Sequence, residues 1–148
     1  MNKLIKTLNI HFFISIGILA VLFILVLINQ ISFVADEAVG VIAERYSIGL
    51  TLIAIPVALK LFADMLGKHT HSDDINAATG VYQKAFFLRL YIIHFMVLVN
   101  LVLYAMSHNM NFVWLTVVLF IVYIFCRPSL EELESLTIKE EEGEQADE

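Results

Sequence analysis

Residues 10–28 read IHFFISIGILAVLFILVLI, a run without an acid, a lysine or an arginine. As an α-helix it would be about 28 Å long, close to the roughly 30 Å hydrocarbon thickness of a bilayer. A helix on a soluble domain keeps one polar face for water, and this run has no such face. It decides the fold class, an all-α integral membrane protein.

Three more apolar stretches follow. Residues 46–66 are interrupted by Lys60 and Asp64, residues 85–106 carry Arg89 and His94, and residues 110–126 are uncharged. With the first span taken as residues 10–30, the expected architecture is a bundle of four antiparallel transmembrane helices within residues 1–128. Composition agrees. Hydrophobic residues make up 59% and mean hydropathy is +0.82, against roughly 45–50% apolar residues in soluble domains. A chain of 148 residues is too small to hide that excess in a core.

The first span resembles a secretory leader, with Lys3 and Lys6 ahead of an apolar core. It is longer than a typical signal core and ends in Asn29-Gln30-Ile31-Ser32 without a small-residue cleavage site, so an uncleaved helix is expected.

The net charge of −6 is unevenly placed. From Pro128 onward the chain has nine acids and only Lys139 as a base; residues 1–127 carry six acids and eight bases. An acidic tail is repelled by anionic headgroups and argues against nucleic acid as a partner. With both ends inside, Lys3, Lys6, Lys60, Lys68, Lys84, Arg89, Arg127 and Lys139 are cytoplasmic and only Arg45 lies outside. That asymmetry orients the bundle, and a bacterial cytoplasmic membrane is the expected location. Aromatics mark both boundaries, Tyr82 and Tyr123 near the inner one, Tyr46 and Trp114 near the outer one.

Residues 129–148 form the expected cytoplasmic tail. Ser129 and Glu132 have the spacing of a capping box, and Leu130, Leu133 and Leu136 recur at three-residue steps. A short amphipathic helix over 129–137 is expected, lying on the membrane or under the bundle. Residues 138–148 are too charged to fold alone.

The candidate intramembrane polar site is Lys60, Asp64, Arg89 and His94. Lys60 and Asp64 are four apart and can pair on one helix face. Arg89 falls at a similar depth on the next, antiparallel span, so Asp64 is placed to bridge both bases. Ionisable groups in a membrane are costly and often functional, although Lys60 and Arg89 equally read as side chains snorkelling to headgroups. Pro56, one turn before Lys60, frees the Leu52 carbonyl and predicts a kink. His94 reads as a packed histidine or, less simply, a haem or proton site. Ser47, Thr51, Ala54 and Ala58 form a small-residue packing seam within the bundle or between subunits. His69, His71 and Asp73, beside Asp74, have metal-ligand types at loose spacing. Cys126 is alone, so no internal disulfide is expected, and it reads as a small buried hydrophobe.

No phosphate-cradling glycine loop, HExxH, CxxC or GxSxG is present. The expectation is a non-enzymatic membrane protein without a cofactor, an accessory or scaffold subunit whose partners are lipid and either another protein or further copies of itself. The alternative is an oligomeric transporter or channel using the polar group on the second and third spans.

Overall fold

The computed structural model describes residues 2–31, 37–68, 75–134 and 136. Five helices follow in order: α1 (Asn2–Leu27), α2 (Glu37–Gly67), α3 (Ile75–Ser107), α4 (Met110–Phe125) and α5 (Leu130–Glu134). No strand occurs among the described residues. Asn2–Leu27, Val41–Gly67 and Asn76–Ser107 are each long and apolar enough to cross a membrane; α4 is equally apolar but has 16 residues.

α1, α2 and α3 include residues ahead of the apolar stretches that announce them. α1 already includes Asn2, and in its first turns Thr7 Oγ1 donates to the Lys3 carbonyl (3.0 Å) and Asn9 Nδ2 to that of Ile5 (3.0 Å), so both polar side chains bond back to the helix itself. α2 and α3 likewise begin well before Tyr46 and Ala85. Pro56 sits inside α2, which continues through it to Gly67.

Two helix ends turn on non-glycine residues in the left-handed region. Asn29 (φ 56°) closes α1: its N–H bonds the Val26 carbonyl (3.1 Å) and that of Gln30 bonds Leu25 (3.1 Å). This pair is the Schellman arrangement, in which asparagine substitutes for glycine. His108 (φ 52°) closes α3 with a bond to the Tyr104 carbonyl (2.8 Å). Asn109 then caps α4 by accepting the Asn111 N–H (3.0 Å). Satisfying the end groups this way lets two residues reverse the chain.

α3 is the central helix, packed chiefly on α2, then on α4 and α1. Tyr82, Phe86, Leu90, Ile93, Val97 and Asn100 are fully buried along it. Facing it are Leu8, Phe12 and Leu19 from α1 and Phe112, Thr116, Leu119 and Tyr123 from α4. α2 contributes Ser47, Thr51, Ala58 and Phe62, at helical steps. The small-residue seam therefore lies inside the bundle, against α3. Contacts at both ends make α2 and α3 antiparallel: Ser47 meets Asn100 while Phe62 meets Tyr82 and Arg89.

The outer faces of α1 to α4 are apolar. Ile14, Val21, Ile53, Phe95, Trp114 and Ile121 are all exposed. Water-soluble proteins rarely expose contiguous apolar patches beyond a few hundred Å²; together with the three long apolar helices, this surface marks a membrane protein.

α5 tucks under the end of the bundle where α4 finishes, with Leu133 and Leu136 buried. Residues 138–148, expected to form the disordered acidic tail, lie outside the described residues.

Candidate functional site

The polar side chains of the interior fall into three groups along the bundle. The group nearest α5 centres on Arg89, which is 4% exposed. Its guanidinium carbon lies 3.7 Å from the Phe62 ring centroid. Nη2 donates to the Cys126 carbonyl (3.0 Å), and Nη1 stands 3.7 Å from Glu132 Oε1. Nε is buried without a hydrogen-bond partner. The Cys126 carbonyl is available because α4 ends there and helical continuation stops before Pro128. Arg89 thus satisfies an orphan of the α4 terminus and holds a carboxylate from α5 at once.

Tyr82, two turns before Arg89 on the same helix, completes the joint. Its hydroxyl accepts the Ser129 N–H (3.1 Å), and its own proton serves either the Ser129 carbonyl (3.1 Å) or Glu132 Oε2 (3.0 Å). Ser129 Oγ does cap α5, accepting the Glu131 N–H (3.2 Å). The return half of the expected capping box is replaced: the Ser129 N–H goes to Tyr82, while Glu132 turns to Arg89 and Tyr82.

The second group links three helices. Tyr123 on α4 donates to Ser15 Oγ on α1 (2.7 Å), and Ser15 Oγ lies 3.0 Å from His94 Nδ1 on α3. Ser15 Oγ either donates to Nδ1 or accepts its proton alongside that of Tyr123, according to the imidazole tautomer. The third group is Asn100, whose Oδ1 accepts from Ser47 (2.7 Å) and whose Nδ2 reaches Thr51 Oγ1 (3.3 Å) and the Met96 carbonyl (2.9 Å). Asn100 is fully buried. At the opposite end from α5, Glu44 clamps the α3–α4 turn, accepting from Asn109 (2.6 Å) and Asn111 (2.5 Å).

The predicted grouping of Lys60, Asp64, Arg89 and His94 is not assembled. Lys60 and Asp64 are exposed. They follow Ala58 and Phe62 by two residues each, about 200° around α2 from the buried face. The Arg89 carboxylate partner is Glu132, from a segment that sequence separation hides. His94 bonds Ser15, as a packed histidine does. Pro56 is exposed on α2. His69, His71 and Asp73 lie outside the described residues; among those described, no group of three or more His, Cys, Asp or Glu side chains is placed to hold a metal. Cys126 is buried.

Ser15, Tyr82, Tyr123 and Glu132 are the partners that the sequence alone does not assign. Ser15 carries a signal, being a hydroxyl within an otherwise apolar span; the others carry only the signals of interface aromatics and a cap.

An open apolar crevice of about 190 Å³ lies between α1 and α3, lined by Leu22, Val26, Ile31, Leu98, Leu101, Val102 and Ala105. Compared with known proteins, the chain matches no family model, no curated protein and no solved structure.

Proposed function

We propose that this chain is a non-enzymatic membrane protein that acts by assembling with other proteins, as a small accessory or scaffold subunit. One observation carries the reading. Among the described residues, the interior polar side chains bond chiefly to neighbouring helices, as Ser47–Asn100–Thr51, Ser15–His94–Tyr123 and Arg89 with the Cys126 carbonyl and Glu132, Arg89 Nε excepted. Such networks hold helices in register in a medium that offers no other hydrogen-bond partner. The outward faces of the bundle remain for interaction.

The reading includes four spans, α1 to α4, with both chain ends on the inner side of a bacterial cytoplasmic membrane. At 16 residues, α4 is about 24 Å long. It spans if it stands upright and the bilayer thins slightly around it. The bias of lysine and arginine toward one end supports this orientation.

Purification through a tag on the C-terminal tail in mild detergent, with mass spectrometry of co-purifying proteins, tests the function. A stoichiometric partner is the expected outcome; recovery only as a lone monomer overturns it. The orientation is tested with single reporter cysteines in a Cys126→Ser background: one at residue 109 labels from outside and one in the tail only after permeabilisation.

A homo-oligomeric transporter is the second reading. Lys60 and Asp64 face outward from α2, so a pathway using them would run between copies. Solute flux in proteoliposomes, lost in Asp64→Asn, would favour it.

A further inference from the structure

The end of α4 and the start of α1 meet at one exposed point. Arg127 Nε donates to Asn9 Oδ1 (3.2 Å), and its guanidinium carbon lies 5.6 Å from the Phe13 ring centroid. Asn9 is itself fixed, since Nδ2 donates to the Ile5 carbonyl (3.0 Å). Lys6 precedes Asn9 by three residues and Phe13 follows it by four, so all three share a face of α1. Lys3 continues that row, and Lys3, Lys6 and Arg127 are all exposed.

This arrangement concentrates positive charge on a prepared frame. Like charges within a helical turn repel weakly, and a bound anion relieves that repulsion. The Arg127 guanidinium is held at Nε, and no hydrogen bond to a described residue takes its terminal nitrogens. A fixed guanidinium fork matches phosphate and loses little freedom on binding it. Directly along the helices toward the bundle centre the surface turns apolar, with Ile10, Phe13, Ile124 and Phe125 exposed. A soluble anion would gain nothing from that surface, whereas an amphiphile with an anionic head would use both parts.

We propose that Arg127, Lys6 and Lys3 form a headgroup site for an anionic phospholipid. The phosphate sits on the Arg127 terminal nitrogens with the lysine ammonium groups around it, and the acyl chains lie over Ile10, Phe13, Ile124 and Phe125. The proposal rests on the membrane placement given above, but not on a protein partner.

Native mass spectrometry of the full chain in detergent, with dioleoylphosphatidylglycerol or dioleoylphosphatidylcholine added, tests it. Phosphatidylglycerol adducts should survive activation better than phosphatidylcholine adducts. Arg127→Gln and Lys6→Gln should each weaken phosphatidylglycerol retention about fivefold, the effect expected for one basic group at an anionic surface. Lys84→Gln, at the same end on α3, should leave it unchanged. Equal retention of the two lipids, or unchanged phosphatidylglycerol retention in both site variants, overturns the proposal. Inorganic phosphate held as strongly as phosphatidylglycerol would also overturn it. Partner recovery is read in a separate experiment on the wild-type chain, so failure of either reading leaves the other standing.

Discussion

The Arg89 guanidinium carbon stands 3.7 Å from the centroid of the Phe62 ring, a buried cation resting on an aromatic face of the neighbouring helix. That stacking takes the planar surface of the cation while its edge serves the Cys126 carbonyl and the Glu132 carboxylate. α2, α3, α4 and α5 are thereby tied to one side chain at a single end of the bundle.

Removing that side chain should loosen this end first. Arg89→Ala leaves the Cys126 carbonyl and Glu132 without their cation and opens a void beside Phe62. The expected loss is about 2–4 kcal/mol, toward the lower end for a buried pair because the Glu132 side chain is a third exposed. Denaturant titration in mixed micelles measures it. Arg89→Lys should recover only part, since an ammonium neither forks nor stacks as a guanidinium does. A loss below about 0.5 kcal/mol, the range of an exposed pair, would contradict this account.

Cys126 offers a local readout of the same joint. The thiol is buried, so maleimide labelling of the folded protein should be slow. Arg89→Ala and Tyr82→Phe, which detach α5 in whole or part, should accelerate labelling. Equal rates in all three proteins would mean that α5 does not shield the thiol.

The Asn100 group should behave as interhelical glue of modest strength. Asn100→Leu should cost about 1 kcal/mol, and Ser47→Ala and Thr51→Ala about 0.5 kcal/mol each, in line with hydrogen bonds between membrane helices. Because all three share one network, the double variant Ser47→Ala/Asn100→Leu should cost less than the sum of its parts.

Tyr123→Phe and Ser15→Ala interrupt the same chain of bonds to His94 at successive links. Each should cost about 0.5–1 kcal/mol, and the pair should be non-additive. Additive losses in unfolding titrations would show that the two bonds act separately.

Asp64→Asn and Lys60→Met alter exposed groups on the far side of α2 from the bundle. Their effect on monomer stability should stay within about 0.5 kcal/mol. A larger loss seen only in an oligomer would locate these residues at a contact between copies.

The helical class, the apolar stretches and the small-residue seam are legible in the sequence, because each depends on composition or on period along one helix. Ser47, Thr51, Ala54 and Ala58 mark the buried face of α2 by spacing alone. The same spacing, extended to Phe62, places Lys60 and Asp64 on the opposite face, so their separation from the buried seam is itself encoded in the period of α2. The partners of Arg89, His94 and Asn100 are not legible. Glu132 is 43 residues from Arg89, and Ser15 is 79 from His94. Such pairs depend on the rotation of each helix about its axis and on where the chain turns after Pro128. Rotation is set by the simultaneous packing of Phe12, Tyr82, Phe86 and Tyr123 in one core. Period within a single helix records which face is buried; only the packed bundle decides what that face meets.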